Sequence, residues 1–292
     1  MGVYDFRGEM LMNQGADMDL SLIEKEEDRL VEVLKGYGRI AVGFSGGVDS
    51  TFLAVVAREV LGKDAVRAYT LLPPHVARWE AAEAAELARR FDLPHRLIEV
   101  PFVEEVRENP PDRCYRCKRI LFGAIKRMAE EDGYPVVCDG TNASDPEEDR
   151  PGMRALRELG VRSPLREAGL TKERIRDLSR AFGLPTWDKP PYSCLITRIP
   201  HGVRVDEALF RRIEEAELLF LRAGFRQVRV RHHGDLARIE LGSDDLERFL
   251  SSGDRDGIVA RCKELGYRYV TLDLEGYRTG SMSVKEGTCG SA

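Results

Sequence analysis

Long apolar runs are missing from this 292-residue chain. No stretch approaches the roughly 20 consecutive apolar residues of a membrane-spanning helix, so no membrane role is expected. A basic excess is missing too. Lys and Arg number 45 against 50 Asp and Glu, a net charge of −5, which argues against a general nucleic-acid binder. Cysteine is sparse, and six residues do not make the disulfide framework of a small secreted domain. Where cysteines cluster in such a chain, metal or redox chemistry is the better expectation. The opening MGVYDFRGEM lacks a basic region followed by an apolar run. No secretory signal is therefore expected, and a cytoplasmic location follows as the default. Internal repeats and low-complexity segments are absent as well. What is there is a globular composition, 42% hydrophobic and 33% charged, long enough for one large core or two ordinary domains.

Short apolar strands alternate with helical patterns through the first two thirds of the chain. Helices are expected at 21–35, 50–61, 78–91, 113–131 and 171–182, and strands at 39–44, 66–72, 95–100 and 135–138. That alternation predicts an α/β fold, a Rossmann-like parallel sheet with helices on both faces. The pattern changes near residue 200. A helix at 206–223 precedes a hairpin of 227–232 and 237–241, then helical sequence between 243 and 265 and a strand at 267–272. The expected organisation is an arm (1–20), an α/β domain (21–200), a smaller α+β domain (201–283) and a tail (284–292).

Ser45-Gly46-Gly47-Val48-Asp49-Ser50-Thr51 lies between the first strand and its helix, after Gly43 and Phe44. Ligands of open α/β sheets bind at such carboxyl ends of strands. Two glycines allow the backbone close to phosphate oxygens, and the next helix offers free N–H groups and the positive end of its dipole. Ser45, Ser50 and Thr51 add hydroxyls. A carboxylate at Asp49 beside phosphates calls for a metal between them, and Mg²⁺ is the natural choice. The loop lacks the Gly-Lys-Ser/Thr ending of a Walker loop, so gamma-phosphate hydrolysis is not implied. Gly140, Thr141 and Asn142 follow the fourth strand, on the same sheet edge, and are a second candidate nucleotide contact.

Cys114 and Cys117 form a C-x-x-C pair at a helix start, flanked by Arg113, Arg116 and Lys118. A helix start flanked by cations is the setting in which reactive thiols are expected. Cys194 is a distant third cysteine. Three thiolates leave a metal position open, as in a [4Fe-4S] cluster with one unligated iron, whereas four would close a structural zinc site. A reducible pair with an unrelated Cys194 fits the spacing too. Cys138 and Cys262 read as packing residues, and Cys289 carries no reading.

Arg229 and Arg231 alternate with Val228 and Val230, so the arginines share one strand face and the valines the other. Two guanidiniums ~7 Å apart make a phosphate or carboxylate clamp, and Arg198 could join them. A solvated charged face partnered by Glu240 is the plainer alternative. His232 and His233 read as hydrogen-bonded surface histidines.

Several segments together resemble one family: FSGGVDST, RCYRCK, DGTNASD, Arg150-Pro151-Gly152, Val161 to Leu165, KPPYSCLITRIPHG, RVRHHGDLARIEL and Tyr269 to Ser281. The loop is similar to the PP-loop of ATP pyrophosphatases, which split ATP between the alpha and beta phosphates. The whole set, from about residue 21 to 282, resembles the LarE group of ATP-dependent sulfur transferases. That resemblance implies adenylation of a carboxylate of pyridinium-3,5-biscarboxylic acid mononucleotide, then thiocarboxylate formation, in nickel-pincer nucleotide synthesis. Some members give up the sulfur of one cysteine, and Cys194 matches that position. Others hold a [4Fe-4S] cluster on three cysteines, which this chain resembles through Cys114, Cys117 and Cys194. Arg198, Arg229 and Arg231 match where the family binds the substrate phosphate. A homo-oligomer is implied, with the sulfide donor left unidentified. The rival expectations are a tRNA thiolase, an ammonia-using amide synthetase and, more remotely, a non-catalytic nucleotide sensor.

Overall fold

A computed structural model describes residues 25–146, 151–278 and 282. The expected arm and tail, with Cys289, lie outside the described residues. The chain forms two compact units. One runs to Tyr192, except for Arg107–Asn109; the other takes Arg107–Asn109 and the chain from Ser193 onward. In this division the segment 193–200, expected at the end of the α/β domain, goes with the second unit. The reason lies in the loop itself: Asn109 Nδ2 donates to the carbonyls of Ile199 (3.0 Å) and Pro200 (2.7 Å), and Arg198 pairs with Glu217 farther along the chain.

The first unit contains α1 (Lys25–Tyr37), β1 (Ile40–Gly43), α2 (Val48–Leu61), β2 (Val66–Leu72), α3 (Arg78–Arg90), β3 (His95–Glu99), α4 (Arg113–Glu131), β4 (Val136–Cys138), α5 (Pro151–Glu158), α6 (Pro164–Glu167) and α7 (Lys172–Ala181). Its four strands are all parallel, in the order β3-β2-β1-β4. Side chains alternate across β1. Ile40 and Val42 face a core with Leu30, Leu34, Phe52, Leu53 and Ile175, while Ala41 faces one with Tyr69, Ile125, Met153 and Leu156. Both faces are thus covered, which is why β1 reads as an unbroken apolar run. The chain leaves β1 first toward β2 and later toward β4, so the strand order reverses between β1 and β4. That reversal opens a crevice at the carboxyl ends of these two strands.

The second unit holds α8 (Glu207–Arg222), β5 (Val228–His233), β6 (Leu236–Leu241), α9 (Ser243–Ser251), α10 (Arg255–Glu264) and β7 (Tyr269–Leu272). β5 and β6 pair antiparallel around a two-residue turn with Gly234 at φ +64°, and β7 joins β6 in parallel. Asp206 caps α8 by accepting from the Leu209 N–H (2.8 Å). Phe220, Phe225 and Phe249 pack ring against ring beneath this sheet.

Candidate functional site

The phosphate loop sits at the strand-order reversal. Gly47 precedes α2 and has no side chain to cap it, so the first-turn amides are left for a ligand. Inside the loop the Gly47 N–H meets Ser45 Oγ (3.3 Å), and Ser45 Oγ lies 3.1 Å from Ser50 Oγ. Gly43 ends β1, and the Phe44 carbonyl accepts from Thr70 Oγ1 (2.5 Å). Thr51 is fully buried, its hydroxyl without a partner among the described residues.

Asp49 lies in the first turn of α2, where the helix dipole favours a carboxylate. Lys172 Nζ at the start of α7 pairs with Asp49 Oδ2 (2.6 Å), and Asn142 Nδ2 donates to Oδ1 (3.4 Å). The Asn142 bond brings the loop after β4 onto the phosphate loop. Gly140 shows how closely. A Cβ there would stand 3.0 Å from the Ser50 nitrogen and 3.2 Å from Asp49 Cβ. Asp139 is buried and accepts from Thr141 Oγ1 and from Ser163 Oγ (2.7 Å), which braces this second loop. The arrangement offers amides, hydroxyls, an ammonium and one carboxylate at one crevice. Such a set can bind a polyphosphate, and the hard oxygens of Asp49 suit Mg²⁺.

Cys114 and Cys117 stand on the first turn of α4, three residues apart and so on one side of the helix. Cys114 is exposed and Cys117 half-buried. His75, from the loop after β2, approaches Cys117 Sγ with Nε2 at 3.2 Å. Burial pushes this imidazole down to about 4, so it is neutral at pH 7. Cys194 belongs to the second unit, half-buried ahead of the short turn Leu195–Arg198. Among the described residues, no three His, Cys, Asp or Glu side chains are gathered as a metal site.

Arg198, Arg229 and Arg231 all belong to the second unit, and they are buried rather than solvated. Arg198 forms a two-pronged pair with Glu217 (2.8 and 3.0 Å), and Glu217 also accepts from the Val230 N–H (3.0 Å). Arg231 pairs with Glu240 (2.6 Å) and donates to the Thr197 carbonyl (3.0 Å). Arg229 lies over the Tyr277 ring and donates to the Val228 carbonyl (2.7 Å). Alternation correctly places Val228 and Val230 in the core; the arginine face is buried too, because glutamates from α8 and β6 meet it. His232 is likewise buried, with Nδ1 lacking a partner among the described residues, so it is no surface histidine.

Burial opposes ionisation of Glu217, but the Arg198 guanidinium holds its carboxyl below the usual value of 4.5. Stability from this pair is present above that value and is lost as pH falls through the lower folded one. Glu217→Gln leaves Arg198 buried against a neutral amide. The variant should lose about 3–5 kcal/mol in urea denaturation at pH 7, and less near pH 3. A loss under about 1 kcal/mol would mean that the pair carries little of the unit's stability.

Sequence reasoning missed Lys172, His75 and Ser163 around these loops. His75 follows a strand end on the ligand-binding edge, so the strand-end rule was the signal that could have found it.

Comparisons with known proteins fall on the same elements. The profile of the NAD synthase family matches residues 22–113, from α1 to the start of α4. An uncharacterized protein of Synechocystis sp. is 37% identical over 264 residues, covering 90% of this chain and 98% of its own length. A pyridinium-3,5-bisthiocarboxylic acid mononucleotide synthase of Lactiplantibacillus plantarum is 33% identical over 266 residues, covering 90% of this chain and 96% of its own. A tRNA-specific 2-thiouridylase of Desulforudis audaxviator is 30% identical over 178 residues, but covers only 50% of each chain.

Proposed function

Because this chain belongs to the LarE-type family of ATP-dependent sulfur transferases, within the PP-loop enzymes, we propose that it thiolates pyridinium-3,5-biscarboxylic acid mononucleotide. The observation that carries this reading is the likeness to the mononucleotide synthase across both units. The tRNA thiouridylase matches only half of the chain and the NAD synthase profile only residues 22–113. Those two likenesses support a shared nucleotide chemistry and not tRNA as the substrate or ammonia as the nucleophile. The acidic net charge of −5 also disfavours tRNA.

A carboxylate is a poor electrophile because its oxygens leave badly. Its oxygen attacks the alpha phosphorus of ATP, the alpha–beta bridging bond breaks, and pyrophosphate departs. The loop of Ser45, Gly46, Gly47 and Ser50 would hold the departing pyrophosphate, with Lys172 beside it. Gly140, Thr141 and Asn142 would border the nucleotide. Mg²⁺ held by Asp49 would neutralise charge that builds on the phosphates. Sulfur then attacks the acyl carbon, the bond to AMP breaks, and a thiocarboxylate remains. No oxidant or reductant is consumed. Arg198, Arg229 and Arg231 are the proposed site for the substrate's own phosphate. To reach it, a ligand must compete with Glu217 and Glu240 for the guanidiniums.

The sulfur source proposed is a [4Fe-4S] cluster on Cys114, Cys117 and Cys194, supported by the C-x-x-C turn and the family resemblance. When bound, such a cluster supplies a sulfide as the nucleophile. Sacrifice of the Cys194 sulfur is the second reading, since the same residue matches that role. Anaerobic purification with iron and acid-labile sulfide assays tests the choice. Four irons per chain with broad visible absorbance is the expected outcome. Colourless, active protein that loses one sulfur from Cys194 per turnover would overturn it. A homo-oligomer and a cytoplasmic location complete the proposal; among the described residues no helix is long and apolar enough to cross a membrane.

A further inference from the structure

Lys189 is a buried lysine, 8% exposed, that belongs to none of the groups described so far. Its ammonium donates to the Gly46 carbonyl (2.9 Å) and pairs with Glu83 of α3 (2.8 Å). The Tyr192 ring lies 5.5 Å from the same nitrogen. The backbone that carries it is held as firmly. Arg176 of α7 donates to the carbonyls of Trp187 (2.6 Å) and Lys189 (2.8 Å). Arg176 lies one turn beyond Lys172 and so on the same face of α7, the face that reaches Asp49. One helix therefore braces both lysines that touch the phosphate loop.

The carbonyl that Lys189 holds is the one that can spoil the loop. Gly46 has φ +67°, and a Cβ there would stand 3.0 Å from Ala84 Cα, so only glycine fits. Glycine leaves the Gly46–Gly47 peptide unit free to rotate. A trans peptide points its C=O and N–H in opposite directions. With the carbonyl on Lys189, the Gly47 N–H points the opposite way and donates to Ser45 Oγ (3.3 Å), which in turn lies 3.1 Å from Ser50 Oγ. With the peptide flipped, a carbonyl oxygen would face the phosphates and repel them.

We infer that Lys189 is a positioning residue for the nucleotide: by anchoring the Gly46 carbonyl it keeps the Gly47 N–H turned toward the phosphates leaving ATP. The inference rests on reading the Ser45–Thr51 loop as the phosphate site. Lys189 also places a positive charge behind that peptide, which strengthens the amide as a donor. Glu83 balances the ammonium and keeps it from moving forward into the loop as a ligand.

The test compares two probes on the full chain with Mg²⁺, α,β-methylene ATP and AMP, by titration calorimetry. AMP lacks the phosphates that the loop would hold. Lys189→Met should lower the preference for the triphosphate analogue over AMP by about 10- to 100-fold, the worth of a hydrogen bond to a charged group. Lys189→Arg, which keeps charge and donor, should stay within about threefold of the wild type. A folded Lys189→Met with the wild-type preference, or one that loses both ligands equally, would overturn the assignment and leave Lys189 a structural staple. Where the methionine variant does not fold, Lys189→Gln keeps a donor on a similar stem, and an unchanged preference there overturns the assignment just as well. A wild-type chain that binds the analogue no better than AMP would bring down the phosphate reading itself.

Discussion

Asp49→Asn is expected to cut the release of AMP and pyrophosphate from ATP by about 10³-fold, the scale of losing a metal-held charge at the reacting phosphates. The size follows from where Asp49 stands. It occupies the first turn of α2, behind a loop that offers amides and hydroxyls but no second carboxylate. In this conformation Lys172 neutralises Asp49 at 2.6 Å. Bound Mg²⁺ would take over the carboxylate and leave the ammonium to the phosphates. The asparagine keeps the side chain's shape and can still meet Asn142, so the fold should survive. Thermal unfolding within a few degrees of the wild type would confirm that the loss is chemical. Pyrophosphate release at the wild-type rate would refute the metal role of Asp49.

The second large effect separates activation from sulfur delivery. On the proposed cluster reading, Cys114→Ser with Cys117→Ser would remove the iron and abolish thiocarboxylate formation, to below about 1% of the wild type, because the nucleophile would be lost outright. ATP–pyrophosphate exchange, which reports the adenylation step alone, should continue in that variant. Both serines sit on the first turn of α4, exposed or half-buried, where serine is well tolerated. The sacrificial reading gives the opposite result. One turnover of thiolated product would persist, with Cys194 converted to dehydroalanine and visible as a lost sulfur in the mass of the protein. Loss of exchange as well would tie the two cysteines to ATP and contradict the division of labour.

The parallel sheet was legible because its strands are short apolar runs covered on both faces, and the phosphate loop because it follows the first of them. The strand-order reversal between β1 and β4 then places Ser45 and Gly140 on one crevice. Helices α5 and α6 were not legible. They span eight and four residues, too short to show a helical period. The partners of the loop were hidden for a different reason. Lys172 stands 123 residues from Asp49 in sequence, and Lys189 stands 143 from Gly46. No local pattern marks such pairs. The setting of the arginines was hidden in a third way. Charged residues alternating along β5 left a solvated face open as the alternative to a clamp, yet Glu240 makes burial of Arg231 tolerable there, as Glu217 does for Arg198 in the loop before α8. A strand's own sequence does not contain the helix that will face it.

The central claim is that this chain spends ATP, as AMP and pyrophosphate, to turn a carboxylate of a pyridinium mononucleotide into a thiocarboxylate. One anaerobic incubation tests it most directly: the wild-type chain with ATP, Mg²⁺, sulfide and pyridinium-3,5-biscarboxylic acid mononucleotide, followed by mass spectrometry of the small molecules. The account predicts AMP and thiolated mononucleotide in equal amounts, and neither without ATP. ADP with phosphate, or AMP formed while the mononucleotide keeps all of its oxygens, would contradict it.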